Sequence, residues 1–230
     1  RDKGCKILSD KGKGLSYARN IGSREAKGNY VLYVGPDNIL PSNFINDLLN
    51  LFAESKYVAA SVRTRVKDPL NFWDKGFDLR WQFLNLKLGE IKVAGTPSIY
   101  RNSVLKKINF SKENIIACDD TYLADKLIKA GFKIGLLPIL VYDKNGHNFK
   151  STWSRFRWYG EADYDFFKIM SKDWKLKRKI KSLLHPFNQT IEYSILCIKR
   201  RKYIYIYWFI YIFFARYWGC LRKYAANLKI

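Results

Sequence analysis

The run Tyr30-Val31-Leu32-Tyr33-Val34-Gly35-Pro36-Asp37-Asn38 constrains this chain more than any other. Its apolar, β-forming residues read as a strand, which runs into a lone carboxylate, a turn and then Pro41 ahead of an amphipathic helix. A carboxylate at the carboxyl end of a buried strand in an α/β sheet sits where ligands bind, so Asp37 is a candidate for holding a metal or a sugar nucleotide. A turn Asp that caps the following helix would read the same way.

The surrounding pattern alternates helix and strand. Ser16, Ala18, Ile21 and Ala26 recur at helical intervals between Gly12 and Gly28, with Gly28 as the expected C-cap and the strand directly behind it. Ser42 is placed to cap a helix carrying Phe44, Ile45, Leu48, Leu49 and Phe52 on one face as far as Glu54. Strands are expected over Tyr57 to Arg65 and Val93 to Tyr100, with a helical turn from Asn102 or Ser103 through Lys107. Asp119 or Asp120 opens a further helix that Gly131 closes, followed by a strand pair over Phe132 to Tyr142 broken at Pro138. Residues 67 to 92, with Phe72, Trp73, Phe77, Trp81 and Phe83 scattered among polar residues, read as a loop-and-helix insertion forming a wall of a cleft. The alternation predicts an α/β fold with a mainly parallel sheet flanked by helices.

Charge narrows the choice of partner. The 230 residues carry 42 Lys and Arg against 20 Asp and Glu, a formal net charge of +22, which calls for an anionic partner. From residue 151 onward there are 17 Lys and Arg against 5 Asp and Glu, in the half that also holds the densest aromatic run. Charge beside apolar aromatics favours a membrane interface over a duplex-binding face, because Trp and Tyr settle at headgroup depth while Lys and Arg meet phosphates. Cys5, Cys118, Cys197 and Cys220 lie far apart, without the spacing of a zinc site or a disulfide framework, which points to a reducing, cytosol-facing compartment. The charged, Gly-rich opening at Arg1 reads as a chain lacking an N-terminal portion.

Three further constellations could carry chemistry. Ala117-Cys118-Asp119-Asp120-Thr121 sets two adjacent carboxylates at a helix start, where one can stay ionised as a base while the other is held by backbone N–H groups. Simple N-capping is the alternative. His147, just past the last strand, could reach a metal or a phosphate, although a loop His is often merely solvated. In Ser154-Arg155-Phe156-Arg157-Trp158-Tyr159-Gly160, guanidinium groups suited to phosphate alternate with rings suited to stacking on a sugar or base; a surface helix would look similar.

Taken in order, these sites resemble the inverting family-2 glycosyltransferases with the GT-A fold. Gly14-Leu15-Ser16-Tyr17-Ala18-Arg19-Asn20-Ile21-Gly22 through Ala26-Lys27-Gly28-Asn29-Tyr30-Val31 looks like that family's helix and strand before its metal site. Asp37 matches the second carboxylate of its D-x-D motif, Tyr100-Arg101 with Val104-Leu105 resembles the segment preceding its acceptor side, Asp119-Asp120 match its acidic pair, and Arg157-Trp158 match the end of Q-x-x-R-W. Gly35 stands where the first Asp of D-x-D belongs and Ser154 where the Gln belongs, the latter motif being associated with processive synthesis. The resemblance covers roughly residues 5 to 165 and places the family's first strand, helix and second strand ahead of Arg1. It implies transfer of a sugar from a nucleotide-sugar donor to a hydroxyl or lipid-linked acceptor, with Asp120 as general base and Asp119 orienting. Arg19, Asp37 and Arg157 would meet donor phosphates, Arg101 and Trp158 the acceptor, and Mg²⁺ or Mn²⁺ would be held by Asp37 with help from His147. A GT-A-like module without transfer activity and a basic nucleic-acid-binding protein are the rival readings; the apolar run beside the charge argues against nucleic acid.

That run, Tyr203 to Ala215, is flanked by Lys199-Arg200-Arg201-Lys202 and by Arg216, Arg222 and Lys223. Thirteen helical residues span about 20 Å, short of a hydrocarbon core of about 30 Å, so an interfacial helix is expected over residues within 166 to 230, with a true span and an ordinary core helix as alternatives. Residues 180 to 198 could form a second membrane-facing helix. Together these features place the protein on the cytoplasmic face of the cell membrane.

Overall fold

The computed structural model describes residues 4–108 and 119–228, so Arg1 and the Ala117-Cys118 part of the acidic motif lie outside the described residues. The chain divides into two compact units, residues 1–63 with 87–141 and residues 64–86 with 142–230. The sequence turns basic and aromatic near Phe166, which suggests a partial GT-A-like domain over residues 1–165 and a helical region over 166–230; that position falls inside a helix of the second unit.

The first unit opens with helix α1 (Leu15–Glu25) and strand β1 (Tyr30–Tyr33). A two-residue strand β2 (Asn38–Ile39) and helix α2 (Phe44–Glu54) follow, then β3 (Ala59–Val66), which continues into the second unit. After residue 86 come β4 (Gly89–Ile91), β5 (Ser98–Arg101), helix α4 (Asn102–Ile108), helix α5 (Asp119–Lys129) and β6 (Ile134–Asp143); helix α3 of the second unit lies between β3 and β4 in the chain. The sheet order is β1-β5-β3-β6-β2, with β4 on β6.

The α/β class stands, but the sheet is mixed and not mainly parallel. β5 runs antiparallel to both its neighbours, with Val31 opposite Tyr100 and Ala60 opposite Ile99, and β4 runs antiparallel to β6. The bonds from Val58 N–H to Lys133 O and from Lys67 N–H to Asp143 O advance the same way along both chains, as in a parallel β3/β6 pair. Successive strand residues feed opposite faces of the sheet. Ala59, Tyr100 and Val31 join Leu123, Leu127 and Leu105 on one face; Ala60, Ile99 and Val62 join Phe44, Leu48 and Phe52 on the other. Burial on both faces is why the strands read as nearly continuous apolar runs. Phe44, Leu48 and Phe52, each at most 1% exposed, contribute on the order of 5–9 kcal/mol in transfer terms, an upper bound.

Local signals explain where the elements stop. Gly131 ends α5 at φ 82°, with Gly131 N–H bonded to Ile128 O and Phe132 N–H to Leu127 O, the Schellman pattern. The C-cap of α1 is Ala26, not Gly28, and Asn102 Nδ2 donates to the carbonyls of Ala26 and Gly28 to hold that turn. Asn43, not Ser42, precedes α2. Residues 134–143 form one strand and not a broken pair: the β4 partners end at Leu136, so Pro138 lies past that ladder, exposed.

The second unit is helical. The loop-and-helix insertion expected over residues 67 to 92 contains one regular helix, α3 (Phe72–Leu84), whose Trp73, Phe77 and Trp81 fall at i, i+4 spacing. Asn71 caps it, accepting from the backbone N–H groups of Trp73 and Asp74. Helix α6 (Phe149–Met170) starts at an Asn148–Ser151 capping box. Helices α7 (Leu176–Leu183), α8 (His185–Lys199) and α9 (Tyr205–Leu228) complete the unit. Phe77, Phe156, Tyr193, Trp208 and Phe209 form its core, so part of the Tyr203 to Ala215 run is interior packing. None of the described helices is long and apolar enough to cross a membrane.

Helices α6 and α9 cross at glycines. A Cβ on Gly160 would strike Arg216 O, and one on Gly219 would strike Arg157 O, backbone against backbone. Gly219→Leu should therefore destabilise the chain by about 3 kcal/mol or more in urea unfolding, while Ala225→Leu at an exposed position should stay within about 0.5 kcal/mol.

Candidate active site

Arg19 and Asp119 of the first unit meet near the carboxyl end of β1, where Arg19 lies by Tyr33. Tyr33 closes β1 opposite Ser98, the first residue of the antiparallel β5, so the end of one strand meets the start of the other. Thr96 lies just before β5. Arg19, from α1, donates from Nη1 to Asp119 Oδ2 at 2.6 Å and from Nη2 to Thr96 Oγ1 at 2.8 Å. Its guanidinium lies 5.3 Å from the Tyr33 ring centroid, and the Tyr33 hydroxyl bonds to Ser23 Oγ of the same helix. Asp37 follows Tyr33 by four residues, within about 14 Å on chain length alone.

The two carboxylates that open α5 differ in environment. Asp119 is 3% exposed and paired with Arg19. Burial opposes the Arg19 charge, yet Asp119 outweighs it and holds the guanidinium above its ordinary pKa. Asp120 accepts from the Thr121 N–H at 2.7 Å and from the Thr121 hydroxyl at 3.3 Å. Burial pushes the Asp120 carboxyl above the usual carboxylate range and the neighbouring Asp119 charge adds to the rise, while Thr121 and Arg19 act the other way. Tyr33 and Tyr100 are likewise raised by burial. A carboxylate held reluctantly ionised at a helix N-terminus can take a proton from a hydroxyl.

The other candidates are placed differently. Arg19, expected at donor phosphates, is engaged with Asp119 and Thr96. Arg101, expected at the acceptor, instead caps the end of α2: its Nε donates to Tyr57 O at 3.1 Å and its Nη2 to Ser55 O at 3.1 Å, with Phe52 O and Ala53 O at 3.4 Å. The carbonyls of a helix C-terminus carry partial negative charge that a guanidinium satisfies.

Arg157, Trp158 and His147 belong to the second unit. Arg157 lies 3.8 Å from Glu161 on its own helix, a carboxylate that Arg222 also reaches at 2.9 Å. Trp158 is half-exposed beside the Tyr159 ring. His147 stacks on Phe77 at 3.9 Å between ring centroids, and its backbone N–H donates to the buried Asp74. Thr96, Tyr33 and Tyr100 join the acidic pair without having been singled out from sequence. Tyr33 was within reach, four residues ahead of Asp37; Thr96 carried no signal.

A divalent metal finds one carboxylate in the first unit's turn. Gly35 contributes no side chain, its N–H donates to Asn38 Oδ1 at 2.7 Å, and a Cβ there would meet Asp37 Oδ1 at 2.6 Å. Among the described residues no group of three or more His, Cys, Asp or Glu side chains could hold a metal ion. Mg²⁺ needs only one or two carboxylates when substrate phosphates complete its shell, so Asp37 fits a metal that arrives with a diphosphate.

No curated protein matches this chain. Among solved structures, it is similar to S. aureus TarS 1-349 in complex with UDP-GlcNAc, at 14% identity and TM-score 0.45 over 75% of this chain and 52% of that one. It is also similar to TarS 1-349 in complex with UDP, at 15% identity and TM-score 0.45 over 79% of this chain and 53% of that one. The chain thus spans about half the length of these structures. The model of the glycosyl transferase family 2 matches residues 1–121, more than half of the sequence and the part that holds α1, β1, Asp37 and the acidic pair. The chain belongs to glycosyl transferase family 2.

Proposed function

We propose that this chain takes part in inverting transfer of a sugar from a nucleotide-sugar donor to an acceptor hydroxyl, with Asp120 as the general base. The observation that carries this reading is the unequal pair: Arg19 neutralises Asp119, while Asp120 beside it is held above the ordinary carboxylate pKa. Family membership supplies the reaction class; the pair supplies the group suited to the proton transfer.

In this reading the acceptor oxygen attacks the anomeric carbon from the face opposite the diphosphate. The new O–C bond forms as the C–O bond to the nucleoside diphosphate breaks, and the acceptor proton passes to the Asp120 carboxylate. Asp119 is a positioning residue: with Arg19 and Thr96 it fixes the start of α5, and its charge raises the proton affinity of Asp120. Asp37 binds at the diphosphate end. Members of this family commonly use divalent metals, and Mg²⁺ or Mn²⁺ bound at Asp37 would neutralise charge on the departing diphosphate.

Asp120→Asn should lower kcat in a transfer assay with nucleotide-sugar donors by about 10²–10⁴-fold, with little change in donor binding by calorimetry. Unchanged turnover in that variant would sink the assignment of Asp120.

The wild-type rate should climb as pH rises through the raised Asp120 pKa, because the base must be ionised; a pH–rate profile reads this directly. Stability runs the other way. A carboxyl whose folded pKa exceeds its unfolded value, about 3.9, contributes fully below that value and loses the contribution as pH rises through the folded pKa. At neutral pH Asp120→Asn should therefore melt no lower than wild type. Asp119→Asn, which leaves Arg19 without its buried partner, should cost about 3–5 kcal/mol.

A further inference from the structure

The second unit carries an outward face that no part of that unit covers. On α9 the buried residues Trp208, Phe209, Ile212, Ala215 and Gly219 define one side. The opposite side is a line of exposed apolar residues at three- and four-residue spacing, Tyr207, Ile210, Phe214, Trp218 and Leu221, continued two turns further on by Leu228. The line is about 32 Å long and contains no charged residue; Tyr207 is 70% exposed and Phe214 58%. A solvent-facing helix side ordinarily carries the polar residues, whereas α9 is apolar on both its buried and its exposed side.

Two neighbouring helices repeat the pattern. On α8, Phe187, Ile191, Ile195 and Ile198 are exposed, opposite the buried Tyr193 and Cys197. On α7, Leu176, Ile180 and Leu183 make an apolar stripe and no residue of the helix is buried. The stripes adjoin: the Phe187 ring lies 6.0 Å from that of Phe213, next to Phe214, and the Tyr217 hydroxyl donates to Leu183 O at 2.6 Å.

Charge selects the occupant. Between residues 175 and 228 there are 12 Lys and Arg against Glu192 alone. Lys175, Lys177, Arg178, Lys179 and Lys181 surround the α7 stripe, and Lys199-Arg200-Arg201-Lys202 lie between α8 and α9. A second copy of this chain would bring the same positive charge against itself, whereas an anionic headgroup layer complements it. A stripe of Trp, Phe, Leu and Ile within a basic frame matches the boundary between headgroups and acyl chains.

We propose that α7, α8 and α9 form a monotopic docking face that lies in the plane of an anionic bilayer, with the Tyr207–Leu228 stripe inserted and the Lys and Arg frame at the phosphates. The cytoplasmic leaflet, with its negative surface potential, is the matching surface. This inference stands on the second unit alone and does not depend on the catalytic assignment.

The test is flotation of the whole chain with vesicles of phosphatidylcholine containing phosphatidylglycerol, against phosphatidylcholine alone. The chain should partition onto the anionic vesicles. The variant Phe214→Gln/Trp218→Gln/Leu221→Gln, altered only at exposed positions, should lose at least about tenfold in partitioning with its melting temperature retained. Replacing Lys177, Lys179 and Lys181 by Gln should cost about fivefold for each charge removed at low salt. Brominated acyl chains should quench a component of the tryptophan emission that Trp218→Phe abolishes. Partitioning unaffected by the apolar substitutions, absence of that quenching, or sedimentation as a dimer that the same substitutions dissociate would each overturn the proposal.

Discussion

The ion pair between Arg19 and Asp119 is the contact on which the candidate site depends. It joins residues 100 positions apart, and with the Thr96 hydroxyl it ties α1, the approach to β5 and the start of α5 to one guanidinium. Both members are largely withdrawn from water, so the pair exists because each satisfies the other and neither could be removed cheaply. Its chemical consequence falls on the adjacent residue. Two identical side chains at successive positions would share one fate in water; here one is neutralised, and the other bears the burial penalty and the repulsion of its neighbour. The difference in environment comes from burial of Asp120 and the charge of Asp119 beside it, with Arg19 bonded to Asp119 alone of the two.

Those helix and strand limits that follow from short-range chemistry were readable from sequence. The Gly131 cap, the apolar face of α2 and the strand ahead of Asp37 all depend on neighbours a few residues away. What escaped depends on distance in the chain. Arg101 reads by resemblance as an acceptor-side residue after a strand, and only the fold brings the carbonyls of α2 to it. The antiparallel course of β5 leaves no trace in sequence either, because alternation specifies which face a residue meets and not the direction of the strand beside it. Residues 67 to 92 gave a helix without its full buried face for a related reason: the Trp73, Phe77 and Trp81 spacing is helical, but Asp74 and Asp78 interrupt the apolar face and look like solvent positions. Both are buried acceptors, Asp74 for the backbone N–H groups of Gly146 and His147, Asp78 for Arg65 and Val66.

The candidate site was legible as residue types and only partly as roles. Asp119 and Asp120 stand out because paired acids at a helix start are unusual in a chain this basic. Which of the two is held by a cation is a tertiary fact. His147 illustrates the converse: a scarce residue in a loop invites a ligand role, yet its ring lies flat on Phe77 and its backbone is tied to Asp74, a loop stabilised by aromatic and carboxylate contacts that sequence gives no reason to pair.

The apolar run near the end of the chain carries two instructions superimposed. Read in one dimension, Tyr203 to Ala215 is simply hydrophobic, and core helix, interfacial helix and membrane span are all consistent with it. Gly219 and Gly160 separate the faces. Because neither has a side chain at the crossing, α6 and α9 meet backbone to backbone, and one side of α9 is closed against α6. With that side committed to Trp208, Phe209 and Ile212, the Tyr207, Phe214 and Trp218 side cannot turn inward without undoing the crossing. An apolar stripe fixed outward by its own helix packing, set among 12 basic residues and one acid between residues 175 and 228, is the arrangement from which docking on an anionic bilayer is proposed.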